Sequence, residues 1–407
     1  MREIVSAGTG SNERGRRAIR PHALARMSIG RTLPLPSTRP MSLRPSLFLA
    51  SVALVVLAAC DSTAGPGDDG PTVFDEAEAR LGEWSFFEVE GSQCRDGSPA
   101  GFGVRLQEGA EDLVIVLAGG GACFNGITCA VNPTAYDAAE LERAFGGIGD
   151  QGIFSLRADN PVGAWNAVYV PYCTGDVHGG SAPNASVPGV SGAQQFVGHQ
   201  NIERFLGLMA PYFGDPDRVL LAGISAGGFG TLVNFASVAD AFPDSDPFLL
   251  NDSGPIAFDD AVFSPEIGGT FAQLYNFPAS FPSDAGALFE PDGLAGVYDY
   301  YAERYPDATF GLASYLEDDV IRFFFGFGQA DGTITGAEYA AGLRDLRARL
   351  PSSWGTYLAT GEGHTFLGDE GRYTATSAGV RLDDWLADLL DGRPTNVDPA
   401  LATVAAR

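Results

Sequence analysis

The sequence predicts an α/β fold in which helices cover both faces of a mostly parallel sheet. At 407 residues and 45% apolar composition, the chain is long enough to bury one large core. Short β-rich runs alternate with helical patterns, and each run is followed by glycine or a polar turn, as is typical of strands joined by crossover helices. Strands are predicted at residues 113–118, 167–170, 218–222, 247–250, 321–326 and 355–359.

The first 59 residues differ in composition from the rest of the chain. All 25 basic residues are arginines, and nine of them lie before residue 60 beside only two acidic residues. The apolar run 47–59 is too short to span a bilayer core of ~30 Å as a helix. It follows Arg44 and precedes Cys60, a pattern that resembles a bacterial lipoprotein signal starting near Met41. An ordinary secretory signal or a short core helix is the alternative.

Three segments follow from this interpretation. Residues 1–59 are predicted to be an overextended N-terminus with a signal peptide, 60–72 a flexible tether after lipidated Cys60, and 73–407 a single catalytic domain. From Cys60 onward 16 basic and 49 acidic side chains remain, and this negative charge argues against nucleic acid as a partner. We expect an exported protein, anchored to a membrane through Cys60 and exposed in the periplasm or at the cell surface.

The remaining cysteines are Cys94, Cys123, Cys129 and Cys173. An even number of cysteines in an exported chain favours two disulfides, for which three pairings are possible. The short gap between Cys123 and Cys129 suits a local loop, which leaves Cys94 to pair with Cys173. The spacing lacks the paired CxxC motifs of a structural zinc site, so no metal is expected.

A sharp turn is predicted at Ser225. The pattern Gly223-x-Ser225-x-Gly227 follows the predicted strand 218–222 and precedes an apolar helical pattern. Side chains at the two glycine positions would crowd the strained backbone that holds such a serine out from the sheet. The strand, turn and helix together favour a serine nucleophile over a plain glycine-rich turn.

His364 is predicted to be the general base of this serine. The chain has four histidines, and only His364 follows Ser225, as the chain order of serine, acid and histidine in this kind of sheet requires. It lies in a glycine-rich loop after the predicted strand 355–359. That position places it at the carboxyl edge of the sheet.

The acid that orients the histidine is expected at a strand end between Ser225 and His364. Asp331 is the predicted acid, because it directly follows the predicted strand 321–326. Asp252, which also ends a predicted strand, is the alternative. Either carboxylate would orient the imidazole and stabilise its charged form.

An oxyanion hole is predicted where the first strand ends. The amides of Gly120 and Gly121 lie in a run of three glycines there, and the amide of Ala226 would supply a further donor. The chemistry requires no metal or organic cofactor. Residues 255–315 are rich in Phe, Tyr and Pro, and they are expected to form either an irregular cap over the site or irregular surface packing.

Three motifs resemble the pectinacetylesterase/Notum family. They are AGGGACFN at residues 118–125, WNAVYVPYCTGDV at 165–177 and LAGISAGGFG at 221–230, and the likeness runs from about residue 80 to 370. For a bacterial member, the resemblance implies an α/β-hydrolase fold and a triad of Ser225, Asp331 and His364. It also implies hydrolysis of carboxylic esters. The family usually carries tryptophan where this chain has Ala122, and an aromatic residue where it has His178.

These observations predict an exported serine carboxylesterase that acts through an acyl-enzyme. The expected substrates are O-acyl esters, O-acetyl esters above all, on a carbohydrate or another alcohol. Two alternatives use the same fold. The first is a non-catalytic surface lipoprotein that binds polysaccharide or a partner. The second is a serine peptidase or amidase, because the same triad cleaves amides.

Overall fold

The computed structural model describes residues 73–136, 139–140, 150–290 and 293–401. All of these lie within one compact unit of the chain, Asp68–Arg407. The predicted signal peptide, Cys60 and the predicted tether lie outside the described residues. None of the helices in the described ranges is long and apolar enough to cross a membrane.

The fold is built around a central sheet. The strands found in the described residues are β1 (Ser85–Gln93), β2 (Pro99–Arg105), β3 (Leu113–Leu117), β4 (Asn166–Val170), β5 (Ala182–Ala185), β6 (Gln194–Phe196), β7 (Arg218–Ile224), β8 (Asp246–Asp252), β9 (Thr309–Tyr315), β10 (Trp354–Ala359), β11 (Thr376–Ser377), β12 (Val380–Arg381) and β13 (Asn396–Val397). Nine of them form the sheet, in the order β1-β2-β4-β3-β7-β8-β9-β10-β13. Only β2 runs antiparallel to its neighbours, and all other pairs in this sheet are parallel.

Helices occupy most of the connections between these strands. Those of the described residues are α1 (Asp75–Glu78), α2 (Gly126–Ala130), α3 (Gly198–Phe213), α4 (Ala226–Ala241), α5 (Pro265–Leu274), α6 (Val297–Arg304), α7 (Asp319–Gly326), α8 (Gly336–Arg349), α9 (Glu370–Tyr373) and α10 (Leu382–Leu390). Short 3₁₀ turns lie at Gly152–Phe154, Phe277–Ala279, Ala285–Phe289 and Leu294–Gly296.

The core lies on both faces of the central strands. All five residues of β3 are buried, and its sequence Leu-Val-Ile-Val-Leu is the continuous apolar run of a strand covered on both faces. Helix α4 packs against β3, β7 and β8, and its Leu232 and Phe235 are completely buried. Burying each of these two side chains contributes roughly 1.5–3 kcal/mol to stability.

The predicted fold class is confirmed, and so are five of the six predicted strands. The sixth is wrong, because residues 321–326 belong to helix α7. A short apolar run fits a strand or a buried helix equally well by pattern alone. The region 255–315 was expected to be irregular. It contains helices α5 and α6 and three 3₁₀ turns, and it ends in the central strand β9.

The parallel register brings several strand ends to one edge of the sheet. Leu117, the last residue of β3, pairs with Gly223 of β7. Tyr315 and Ala359, the last residues of β9 and β10, pair with each other. The segments that follow these strands therefore emerge side by side, and the residues of the predicted site lie on them.

The structure contains both predicted disulfides. Cys94 pairs with Cys173 across 79 residues of sequence, and Cys123 pairs with Cys129 across only 6. The first joins the end of β1 to the segment after β4, and the second closes a small loop after β3. All four cysteines are buried. Their burial is therefore similar, while the lengths of the closed loops differ more than tenfold.

We predict that the two disulfides contribute unequally to stability. Replacing Cys94 and Cys173 together with alanine should lower the free energy of unfolding by about 4 to 5 kcal/mol, because a long loop is released in the unfolded chain. The matched double replacement of Cys123 and Cys129 should cost about 2 to 3 kcal/mol. Urea unfolding of both variants measures the difference. Equal losses, or a larger loss for the short loop, would contradict the prediction.

Candidate active site

Ser225 lies in a strained turn between β7 and α4. Its φ of +57° is in the left-handed region, which a residue other than glycine rarely occupies, and its amide donates a 2.7 Å hydrogen bond to the Asp252 carbonyl oxygen. A Cβ at Gly223 would lie 2.0 Å from the Gly227 carbonyl oxygen. A Cβ at Gly227 would lie 2.0 Å from the carbonyl oxygen of Leu117. Both flanking positions therefore require glycine.

His364 lies beside this serine, in the loop after β10. Its Nε2 is 2.7 Å from the Ser225 Oγ, and its Nδ1 is 2.8 Å from Oδ2 and 3.1 Å from Oδ1 of Asp318. Because a carboxylate can only accept, Nδ1 carries a proton and Nε2 is free to accept from the Ser225 hydroxyl. The three groups form one chain of hydrogen bonds, from carboxylate to imidazole to hydroxyl.

Asp318 lies between β9 and α7 and is completely buried. Its Oδ1 accepts hydrogen bonds from the amides of Val320 at 3.1 Å and Ile321 at 3.0 Å, so it is the N-cap of α7. These backbone bonds hold the carboxylate in place while it also accepts from His364. The capping position of a helix therefore fixes the orientation of the imidazole.

The structure places Asp318 beside His364, where Asp331 was predicted. Asp331 is exposed, its carboxylate accepts from the amide of Thr333 at 3.1 Å, and no hydrogen bond of the described residues joins it to His364. The error followed from treating residues 321–326 as a strand, since the run is a helix whose N-cap, Asp318, contacts His364. An aspartate directly before an apolar helical run was the overlooked signal, because it marks a helix N-terminus.

Asp252, the alternative acid, has a different set of partners. Its buried carboxylate accepts through Oδ2 from the amides of Phe366 at 2.7 Å and Leu367 at 2.9 Å. It therefore holds the loop that carries His364, while the imidazole itself is bonded elsewhere. Burial raises the pKa of the Asp252 carboxyl to about 6, although both amide hydrogen bonds act to lower it.

The three glycines after β3 lie directly against the serine. A Cβ at Gly119 would be 3.1 Å from the Ser225 Cβ, so the backbone of this loop can approach the serine closely. Within the described part of the chain, the amides of Gly120, Gly121 and Ala226 donate to no other residue. Unpaired amides beside a serine are suitable donors for an oxyanion.

Side chains from two other segments hold carbonyl oxygens of this loop, and a third supports one of them. Asn132 donates through Nδ2 to the Gly120 oxygen at 2.7 Å, and the Tyr172 hydroxyl donates to the Gly121 oxygen at 2.8 Å. The buried guanidinium of Arg95 donates in turn to the Asn132 carbonyl oxygen at 2.8 Å. Sequence analysis missed these supporting residues because their contacts join segments distant in sequence.

A buried histidine supports the start of the same loop. The Nε2 of His178 lies 2.9 Å from the carbonyl oxygen of Ala118, and its ring packs on Tyr172 with centroids 4.7 Å apart. Burial lowers the pKa of His178 to about 4, so the imidazole is neutral near pH 7 and donates through Nε2. Its contacts give this histidine a structural role beside the glycines.

Phe324 of α7 lies against the glycine loop. A Cβ at Gly121 would lie 2.8 Å from the Cζ of Phe324, so the ring edge touches the backbone there. The neighbouring Phe323 points outward and is 53% exposed. Phe324 therefore limits the space beside the loop, whereas the preceding Phe323 does not.

Five predicted site residues come together at the carboxyl edge of the sheet. They are Ser225, His364, Gly120, Gly121 and Ala226. In the ranges that the structure describes, no group of three or more His, Cys, Asp or Glu side chains lies close enough to hold a metal ion. The arrangement combines a serine hydroxyl, a proton acceptor and unpaired amides. These are the groups that nucleophilic attack on a carbonyl group requires.

The sequence and the fold both have counterparts among known proteins. A family model described as pectinacetylesterase matches residues 85–274. The palmitoleoyl-protein carboxylesterase notum1' of Xenopus laevis is 30% identical over 169 residues, which are 40% of this chain and 34% of that protein. A Danio rerio protein described as inactive palmitoleoyl-protein carboxylesterase notum1b is 32% identical over 108 residues, 25% of this chain and 74% of that protein.

A solved structure matches most of the described fold. The Wnt deacylase Notum from Drosophila superposes with a TM-score of 0.57 and 18% identity, and the match covers 77% of this chain and 95% of that one. The sequence matches are shorter: the chain spans about a third of the length of the Xenopus relative. The structural similarity therefore covers most of the fold, whereas the sequence similarity covers less than half of the chain.

We predict that a fluorophosphonate probe labels Ser225 and that the rate depends on Asp318. Asp318→Asn should slow labelling on the order of 10³–10⁴-fold, because the amide would favour the wrong imidazole tautomer. Asp331→Asn is the matched control and should label at the wild-type rate. Labelling reactions quenched at successive times and analysed by mass spectrometry give the labelling rate of each variant. Slowing by Asp331→Asn, or none by Asp318→Asn, would contradict the assignment.

Proposed function

The chain belongs to the pectinacetylesterase and Notum family, and on this basis we propose that it is a serine carboxylesterase that hydrolyses O-acyl esters. The observation that carries the proposal is the continuous hydrogen-bonded chain from Asp318 through His364 to Ser225. A relative described as inactive is among the matches. Family membership alone therefore does not establish activity, and the geometry of these three residues is the stronger support.

In the proposed acylation step, the Ser225 Oγ attacks the ester carbonyl carbon. The Nε2 of His364 takes the hydroxyl proton, and the carboxylate of Asp318 stabilises the resulting imidazolium through Nδ1. When the tetrahedral intermediate collapses, the bond to the leaving alkoxide breaks and His364 returns the proton to it. The products are a free alcohol and an acyl group bound to the serine.

Deacylation repeats the same steps with water as the nucleophile. His364 takes a proton from water as the water attacks the acyl carbon, and it then protonates the departing Oγ of Ser225. In both steps negative charge develops on the carbonyl oxygen. The amides of Gly120, Gly121 and Ala226 are proposed to stabilise it, since they have no other partner in the described structure.

Short acyl groups, acetyl above all, are the proposed substrates. Phe324 lies against the backbone of Gly121, so the space next to the proposed oxyanion hole is narrow. The alcohol part is proposed to be a carbohydrate or another hydroxyl compound. With 49 acidic and 16 basic side chains from residue 60 onward, the chain is unsuited to bind nucleic acid.

We also propose that the protein is exported and held at a membrane by lipidated Cys60. The two disulfides support export, since such bonds persist in oxidising compartments. The lipid anchor is supported by the sequence pattern alone, a short apolar run followed directly by the cysteine. Metabolic labelling with a fatty acid, compared with Cys60→Ser, tests the anchor.

We predict that para-nitrophenyl acetate is hydrolysed and that Ser225→Ala lowers kcat on the order of 10⁵–10⁶-fold, because the nucleophile is lost. Acetate should be preferred to butyrate and octanoate in kcat/KM. Steady-state kinetics measure both, with circular dichroism to show that the variant is folded. A folded wild type without Ser225-dependent hydrolysis would oppose the proposal and favour a binding protein, and cleavage of peptide amides in preference to esters would favour a peptidase.

We predict that Phe324→Ala widens the acyl preference. Removing the ring beside Gly121 should raise the ratio of kcat/KM for octanoate over acetate by about 10- to 100-fold, because room for further methylenes is opened. The matched control is Phe323→Ala on the same helix, whose side chain is 53% exposed, and its ratio should equal that of the wild type. Equal ratios for both variants would show that Phe324 does not limit acyl length.

A further inference from the structure

Asp252 contacts both the turn that carries Ser225 and the loop that carries His364. Its carbonyl oxygen accepts from the Ser225 amide at 2.7 Å, and its carboxylate accepts from the amides of Phe366 at 2.7 Å and Leu367 at 2.9 Å, next to His364. We propose that Asp252 is a positioning residue that fixes the distance between Ser225 and His364. This inference rests on the proposed function and adds to it a residue that does not touch the substrate.

Asp252 is itself held rigidly. It is completely buried, and its Oδ1 accepts from the hydroxyl of Ser253 at 3.0 Å. Ser253 has a φ of +64°, and its amide donates to the carbonyl oxygen of Ala313 in β9 at 2.8 Å. The carboxylate is therefore tied to the sheet on one side and to the histidine loop on the other.

The histidine loop depends on this carboxylate. Phe366 and Leu367 are completely buried, so without Asp252 their amides would be left without a partner, which is costly in a protein interior. The ring of Phe366 stacks on Tyr315 at 4.2 Å. The ring contact anchors one side chain of the loop. Other groups bind carbonyl oxygens of this loop, such as the Ile153 amide on the Leu367 oxygen at 2.8 Å, whereas the Asp252 carboxylate accepts from its amides.

The electrostatics of the site agree with this role. Burial raises the pKa of Asp252 to about 6, and the nearby His364 acts to lower it, so the carboxylate is ionised near pH 7 and attracts a developing imidazolium. Titratable or charged groups near His364 and Asp252 in the described structure include Asp318 on Nδ1 of His364, Tyr315 on β9, and Arg372, which donates to the His364 carbonyl oxygen. None of these groups replaces the two amide bonds.

Two substitutions of Asp252 separate positioning from general stability. Asp252→Ala removes the oxygen that accepts both amide bonds, and kcat for para-nitrophenyl acetate should fall about 100-fold or more with little change in KM, because the histidine is misplaced. In Asp252→Asn the amide oxygen can accept both bonds, so most of kcat should return. The rates are measured at a temperature at which thermal unfolding shows every variant to be folded.

Asp398→Ala is the matched control. Asp398 is also completely buried, and its carboxylate binds Arg344 and Arg347 away from Ser225. This variant should lose stability and retain its kcat. If Asp252 had only a structural role, its alanine variant would behave in the same way. Loss of kcat in both alanine variants, or in neither, would overturn the inference.

A second measurement keeps this test separate from the proposed function. The proton on Nδ1 of His364 is expected as a resolved signal in the NMR spectrum of the folded protein, whether or not esters are hydrolysed. The signal should persist in Asp252→Asn and in Asp398→Ala, and it should shift or broaden in Asp252→Ala. An inactive wild type would contradict the proposed function alone, whereas an unchanged signal in Asp252→Ala would overturn the inference.

Discussion

The close packing of backbone around Ser225 is the constraint on which the site depends. The turn has a φ of +57° at the serine, a conformation that costs on the order of 1–3 kcal/mol and persists only where the surroundings impose it. Here the carbonyl oxygen of Leu117 lies against Gly227, and the carbonyl oxygen of Asp252 takes the serine amide. Two neighbouring strands therefore fix the serine, and the loops that carry His364 and the unpaired amides are arranged around it.

Two buried carboxylates, which follow or end adjacent strands, together position the imidazole of His364. Asp318 bonds the ring at Nδ1 and caps helix α7, while Asp252 bonds the backbone of the loop that follows His364. Burying a charge is expensive unless hydrogen bonds compensate for it. In the described structure both carboxylates are compensated by backbone amides, and neither is paired with arginine. Each charge therefore keeps its orientation without a flexible cationic side chain.

Polar side chains hold the glycine loop after β3 in place by hydrogen bonds to its carbonyl oxygens. Asn132 and Tyr172 hold the carbonyl oxygens of Gly120 and Gly121. The amides of these glycines have no partners in the described residues. Arg95 supports Asn132 and also donates to the Sγ of Cys123 at 2.8 Å. The Cys123–Cys129 disulfide and the proposed oxyanion donors thus share one buried network, which extends beyond the three glycines.

The sequence alone determined the turn at Ser225, the position of His364 after it and the glycine loop, because each rests on a local requirement or on chain order. A positive φ and close backbone contact demand glycine at 223 and 227, and only one histidine follows Ser225. Only the tertiary structure decided which carboxylate is bonded to His364. The run 321–326 fits a strand or a helix by pattern, and only its packing as a helix makes Asp318 the capping residue beside His364. The partners of Asp252 were equally hidden, because they are backbone amides more than 100 residues away in sequence, and no sequence pattern reports a contact at that separation.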